Sequence, residues 1–272
     1  MKVRGRSNRS PPSRPAGKGM DTIRMKILGV DTSTSCCSIG LVDGESVVAE
    51  SLLDVPTTHS ERLLGSIKHV LEQAGCAAGE LDGWAVSLGP GSFTGLRIGI
   101  STIKGLAFAT AKPVAGIPTL DALAFNISPT PYLICPILDA RKGEVYTSFY
   151  RYDDGGTLAR VSAYQAIRPE DLVNKIGSTL RLMDTNAAEP SNGSKTVFLG
   201  NGVNTYRDYL RNALQTLAVF VPDPLNLPRG STVARLGLMR IQKGEVLDLS
   251  SFVPIYVRAS EAEIRWKERH PD

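Results

Sequence analysis

Three histidines and four cysteines in 272 residues leave little material for a metal centre. Cys36, Cys37, Cys76 and Cys135 show no Cys-x-x-Cys spacing, and the adjacent pair would strain to bridge, so reduced thiols are expected. His59 and His69 stand ten residues apart in one predicted helix, roughly 80° out of phase at 100° per residue. His270 is far from both. Neither a structural zinc site nor metalloprotease chemistry is expected from such a set. No apolar run approaches the length of a membrane span. No Gly-Lys-Ser/Thr follows a glycine-rich turn, which removes the P-loop.

Basic charge is also scarcer than the total suggests. The formal net charge is +4, yet the first 24 residues carry seven Lys/Arg against one acid, leaving 24 basic and 26 acidic residues in the remainder. The body is therefore slightly acidic and offers no general nucleic-acid footprint. The arm 1–24 is rich in Arg, Ser, Pro and Gly with almost no apolar residues, so disorder is expected. Three readings stand open for it: a start called too early, favoured because Met25 directly precedes the first strand; an RNA-contacting basic tail; or a transit peptide. A signal peptide is excluded by the missing apolar segment.

What is present is a regular alternation of elements. KILGVD, CCSIGLV and SVVAESLL read as three antiparallel strands, the last two joined at Asp43-Gly44. Thr58 and Glu61 form a capping box, and Leu63, Leu64, Ile67, Val70 and Leu71 follow at helical spacing up to a C-cap at Gly75. WAVSLGPG then reads as a buried strand and turn, 94–112 as a helix, PVAG as a strand, and a further helix is capped by Thr119. The order βββαβαβα describes a mixed sheet covered by helices, the ribonuclease-H-like lobe of nucleases, sugar kinases and actin-like ATPases.

The second half is expected to repeat the first, the alternative being two unrelated lobes whose strands end alike by chance. YLICPILDA ends in Asp139 as KILGVD ends in Asp31, and GEVYTSFY runs as a strand to Asp154-Gly155 as CCSIGLV runs to Asp43-Gly44. About sixty residues after each Asp come Leu88-Gly89-Pro90-Gly91 and Leu199-Gly200-Asn201-Gly202. The expectation is an α/β protein of two ribonuclease-H-like, actin-like (ASKHA) lobes with mixed sheets covered by helices. Its parts are an arm 1–24, a first lobe 25–128, a second lobe 129–258 and a tail 259–272, with 180–195 as a surface loop.

The chemistry on this scaffold is thin. In SLGPGSFTGLRIGIS the glycines Gly89, Gly91 and Gly95 are spaced one residue too widely for a dinucleotide fingerprint. Ser92 or Thr94 can cap the following helix, whose free N–H groups would attract an anion, while the plainer role of the glycines is positive φ and close packing. A two-metal nuclease needs converging carboxylates. Asp31 suits one, but the strand ending Val-Ser-Leu-Gly brings no second. For a kinase or ATPase, Asp31-Thr32-Ser33 resembles a first phosphate turn with Thr32 in place of its glycine, and Gly200-Asn201-Gly202 resembles the remnant of an adenosine turn. Asp31, Thr32, Ser33, Gly89, Gly91, Ser92, Gly200 and Gly202 are thus weak nucleotide or anion candidates.

The segments ILGVDTSTSCCSIGL, THSERLL, SLGPGSFTGLRIGISTIKGLAFA, VAGIPTLDALA, LDARKGEVY and PIYVR together resemble the bacterial TsaB (YeaZ) family over about 25–258. That resemblance implies a cytoplasmic, two-lobed actin-like fold. It also implies a role in installing threonylcarbamoyl on N6 of adenosine 37 in tRNAs reading ANN codons. A TsaD paralogue would transfer the group, with a TsaE-like ATPase joining and tRNA met through the complex. By this resemblance the chain has no catalytic activity alone and requires no cofactor, ATP and metal being expected on the partner subunits. A small-molecule kinase or ATPase of the same fold, and a metal-dependent glycoprotease-like peptidase, are the alternatives.

If the site does no chemistry, the surface has to explain the protein. The helix 94–112 is apolar nearly all round, with only Arg97, Ser101 and Lys104 as a polar strip, so both sides should be covered. Its face Gly95, Ile98, Gly99, Thr102 and Leu106, with Leu64, Ile67 and Leu71 of the preceding helix, is the expected partner surface, the glycines admitting a close helix. Homodimerisation in the absence of the partner is a further expectation.

Overall fold

A computed structural model describes residues 24–55, 59–183 and 194–258. The expected arm apart from Arg24, the tail, Thr58 of the capping box and most of the expected loop lie outside the described residues. The first half runs β1 (Lys26–Asp31), β2 (Cys37–Asp43), β3 (Ser46–Leu53), α1 (His59–Gln73), β4 (Gly83–Gly89), α2 (Phe93–Thr110), β5 (Val114–Pro118) and α3 (Thr119–Phe125). The sheet order is β3-β2-β1-β4-β5, with β1, β2 and β3 antiparallel and β1, β4 and β5 parallel. β4 and β5 are buried along their whole length, which is why they read as unbroken apolar runs. On α1, Leu63, Ile67, Val70 and Leu71 face the sheet, and the helix closes at Gly75 with Cys76 N–H bonded to Leu71 O at 3.0 Å.

The second half runs β6 (Leu133–Arg141), β7 (Glu144–Thr147), β8 (Tyr150–Tyr152), β9 (Leu158–Arg160), β10 (Gln165–Ile167), α4 (Pro169–Met183), β11 (Thr196–Leu199), α5 (Gly202–Leu214), β12 (Ala218–Phe220) and α6 (Gly230–Gln242). Its sheet order, β10-β7-β6-β11-β12, and its strand senses repeat those of the first sheet. The expected strand GEVYTSFY is two strands. β7 pairs with β6 and β10, the chain breaks at Ser148, and β8 pairs with β6 and β9. Ser162 causes the break: its Oγ accepts from Phe149 N–H at 2.8 Å and its carbonyl from the Ser148 hydroxyl at 2.8 Å, replacing a continuous ladder. The expected loop also starts later, since α4 continues to Met183.

The expected lobe boundary needs correcting, because the halves exchange helices. α6 belongs to the second half in sequence but lies on the first sheet, where Gly29 and Gly40 have no room for a Cβ against the backbone of Gly230, Ser231 and Ala234. Its start is held by β2 and β3. Gly230 N–H donates to Ser38 Oγ at 2.7 Å, and Glu50 accepts from Ser231 N–H at 3.0 Å, from the Ser231 hydroxyl at 2.6 Å and from Arg229. The following chain stays there, with Leu247 N–H on Val114 O and Ile255 N–H on Leu88 O. Reciprocally, Leu120, Leu123 and Ala124 of α3 pack with Ile134, Leu138 and Leu199 of the second sheet. Thr119 does not cap α3: Pro118 is the N-cap, and the Thr119 hydroxyl is buried without a partner among the described residues. Among the described residues no helix is long and apolar enough to cross a membrane.

Candidate functional site

The first lobe's turn is built around Asp31. Its side chain is wholly buried, with Oδ1 accepting from Ser33 N–H at 2.9 Å and the Ser33 hydroxyl at 2.7 Å, and Oδ2 from the Ser87 hydroxyl at the end of β4. Burial pushes its pKa above the ordinary value, against the pull of those serine donors. Thr32 is also turned inward, its hydroxyl donating to Gly95 O at 2.8 Å. Ser92 N–H bonds Ser33 O at 2.7 Å, and Ser92 Oγ caps α2 by accepting from Gly95 N–H at 3.2 Å. The turn and the start of α2 are therefore one unit, and a Cβ at Gly91, Gly95 or Gly99 would overlap Ser33 O, Thr32 O or the Thr32 hydroxyl respectively.

The corresponding turn of the second lobe faces the first across a cleft of about 430 Å³. Asp139 Oδ1 accepts from Arg141 N–H at 2.8 Å, Asp139 N–H donates to Asn201 Oδ1 at 3.0 Å, and Arg258 donates to Glu144 at 2.8 Å and to Ala140 O at 3.3 Å. Gly200, at φ 100°, sits against Ile137 O and donates its N–H to Asn226 Oδ1 at 3.1 Å. Gly89 has the matching φ of 106°. Of the eight nucleotide candidates, Ser33, Gly91 and Ser92 line this cleft, whereas Asp31 and Thr32 point into the lobe and Gly89, Gly200 and Gly202 are spaced for close backbone packing. Asp31, wholly buried and bonded to Ser33 and Ser87, does not reach the cleft, and its burial reflects a role inside the turn.

Arg141, Asn201, Arg258 and His59 also line the cleft; Arg141 and Arg258 fall inside the segments that carry the resemblance, LDARKGEVY and PIYVR, without being singled out there as site residues. Arg258 arrives from the far end of the chain, so no local spacing reveals it. His59 Nε2 donates to Thr34 O at 2.8 Å, leaving Nδ1 buried without a partner among the described residues. Among the described residues no group of three His, Cys, Asp or Glu side chains could hold a metal ion. The thiols are free and buried, and burial pushes Cys36 and Cys135 up to about 12 and Cys37 to about 11, far from nucleophilic.

A second feature is the groove of about 510 Å³ between α1 and α2, lined by Leu64, Phe93, Arg97, Ile98 and Thr102 among others. Leu64 is 59% exposed and Phe108, further along α2, 83%. The expected partner surface divides here. Leu64, Ile98 and Thr102 line the groove, and Leu106 is half-buried beyond it. Ile67 and Leu71 are core residues on the stripe of Leu63 and Val70, and Gly95 and Gly99 face Thr32. The glycines serve this chain's own turn and cannot be the approach point of a partner helix.

Two halves of one strand order, each with an aspartate turn at the C-terminal end of its central strand (β1, β6) and a positive-φ glycine turn at the end of the neighbouring parallel strand (β4, β11), define a two-lobed ribonuclease-H-like, actin-like (ASKHA) protein. A family profile described as TsaD: tRNA N6-adenosine threonylcarbamoyltransferase matches residues 54–266. The chain is 31% identical to tRNA threonylcarbamoyladenosine biosynthesis protein TsaB of Bacillus subtilis (strain 168) over 90% of this chain and 99% of that protein. It is 26% identical to the protein of the same name from Escherichia coli (strain K12), over 90% and 98%. The structure of YeaZ from Pseudomonas aeruginosa superposes with a TM-score of 0.66 at 26% identity, covering 85% of this chain and 99% of that one. The chain belongs to the TsaB family of tRNA threonylcarbamoyladenosine biosynthesis proteins.

Proposed function

We propose that this chain is the non-catalytic subunit of a cytoplasmic complex that places threonylcarbamoyl on N6 of adenosine 37 in tRNAs reading ANN codons. A TsaD-like catalytic paralogue binds the outward face of α1 and α2, and a TsaE-like ATPase joins the pair. ATP and metal sit on those partners, and tRNA is met through the assembly. Without its partner the same face pairs two copies of the chain.

One observation carries this reading: an outward groove between α1 and α2, lined by Leu64, Phe93, Ile98 and Thr102, lies open, with the Leu64 side chain and, further along α2, that of Phe108 exposed. The use of both Asp31 oxygens by Ser33 and Ser87 supports a partner role over phosphoryl transfer. The test is reconstitution of the modification on tRNA from purified subunits, with this chain present, omitted, or supplied alone. Modification only when it accompanies the catalytic paralogue is expected. Modification by the chain alone, or undiminished modification without it, would refute the reading.

A further inference from the structure

On the side where the exchanged helices meet, α3, α6 and the β8–β9 hairpin enclose a cavity of about 430 Å³ that the proposed function leaves unused. That size falls in the range of small-molecule sites. Its chemistry is set by two opposite charges. Asp121 Oδ1 accepts from the Tyr150 hydroxyl at 2.6 Å and the Tyr164 hydroxyl at 2.7 Å. Burial first, then the neighbouring carboxylate, pushes both phenol pKa values up, so both hydroxyls remain donors. Oδ2 has neither a hydrogen bond nor an ion pair among the described residues, and Asp121 lines the cavity. Arg240, the nearby cation, donates instead to Gly116 O.

The second charge is Arg160, whose guanidinium lies 4.0 Å from the centroid of the Tyr164 ring. No hydrogen-bond acceptor or ion-pair partner engages that guanidinium among the described residues. Tyr164 thus sets the separation of the two groups, its hydroxyl on the carboxylate and its ring face under the guanidinium. Phe125, Leu158, Leu236 and Met239 supply apolar wall. A carboxylate oxygen and a guanidinium fork, both without partners and braced by one tyrosine beside an apolar chamber, match an ammonium and a carboxylate carried on one small body.

We propose that this cavity binds a free α-amino acid with a large apolar side chain. The ammonium is held by Asp121 Oδ2, the carboxylate by Arg160, and the side chain by Phe125, Leu158, Leu236 and Met239. The ligand spans both halves of the sequence, since Asp121 comes from α3 and Arg160 from β9.

Isothermal titration of the full chain with L-phenylalanine, phenethylamine and 3-phenylpropanoate tests this, with binding as readout and no dependence on tRNA modification. L-Phenylalanine is expected to saturate one site per chain. Each analogue, lacking one charge, is expected to bind about tenfold more weakly or worse. Arg160→Gln, at an exposed position, should weaken L-phenylalanine about tenfold while leaving phenethylamine unchanged. Met239→Trp, at the exposed mouth, should block all three. Phenethylamine binding as tightly as L-phenylalanine, or no saturable L-phenylalanine binding by a chain with an unaltered melting curve, would overturn the proposal.

Discussion

The two lobes share a strand order and a pair of turns, yet they treat the same aspartate differently. Asp31 ends β1 and Asp139 stands two residues before the end of β6, and each accepts from the backbone N–H two residues on, at 2.9 and 2.8 Å. The second oxygen separates them. Asp31 Oδ2 is taken by Ser87, next to the turn of Leu88 and Gly89, whereas the residue before Leu199 and Gly200 is Phe198, a core residue with no hydroxyl. Asp139 Oδ2 instead meets the exposed Arg141 guanidinium at 3.3 Å, at the cleft. One serine-for-phenylalanine difference decides whether the carboxylate locks its own turn or stays at the surface.

The helices that follow those turns differ in the same direction. α5 shows solvent Asn204, Thr205, Asp208, Arg211 and Asn212 together with Tyr209 and Ala213, an amphipathic helix with a mostly polar outer face. α2 shows Ile98, Thr102, Gly105, Leu106, Phe108 and Ala109 on its outward side, broken by Arg97 and Ser101. The outer side of α2 is thus richer in apolar side chains than that of α5, where Tyr209 is the one exposed large apolar residue among the described residues.

Breaking the first lobe's lock to α6 should have the largest effect. Gly40→Val drives a side chain into the backbone of Ser231, with no flexible neighbour to yield, and is expected to prevent recovery of folded protein; circular dichroism of purified material checks it. Glu50→Ala removes the acceptor of two Ser231 donors and of Arg229, and should cost about 2–3 kcal/mol in urea unfolding.

The aspartate contrast is sharpened by pH. Burial raises the Asp31 pKa above its ordinary 3.8, so between 3.8 and the raised value the folded protein holds more protons than the unfolded chain. Stability is then fullest below that window and falls as pH rises through it, by up to about 1.4 kcal/mol per pH unit. Asp31→Asn should flatten this slope in urea titrations across pH. Smallest is Gly177→Ala in α4, where nothing lies within 4 Å of the added methyl, expected to stabilise by roughly 0.5–1 kcal/mol in thermal unfolding.

Most of the architecture was legible in the amino-acid order. Alternating strands and helices, the Asp43-Gly44 hairpin and the repeated Asp and Leu-Gly-x-Gly signatures all describe local geometry, and local geometry is what spacing encodes. The exchange of α3 and α6 was not legible, because an apolar stripe says that a face is buried without saying against which sheet. The same gap hid the true role of Gly95 and Gly99: on a helix apolar all round, small residues facing Thr32 look like small residues facing a partner. At the cleft, Arg258 reaches Glu144 from 114 residues away, and at the rear cavity Asp121, Tyr164 and Arg160 form no motif at all. Side chains gathered by topology leave no spacing to read.

The central claim is that the chain acts through the outer face of α1 and α2. Its most direct measurement is the affinity of purified chain for a TsaD-type catalytic subunit, by calorimetry, comparing Leu64→Glu and Ile98→Glu with Asp208→Lys on α5. The account predicts that the first two abolish association, with the melting curve of the exposed Leu64→Glu unchanged and that of the half-buried Ile98→Glu lowered but still cooperative, and that the α5 variant binds as the parent does. Undiminished binding by both α1–α2 variants, or loss only with the α5 change, would contradict it.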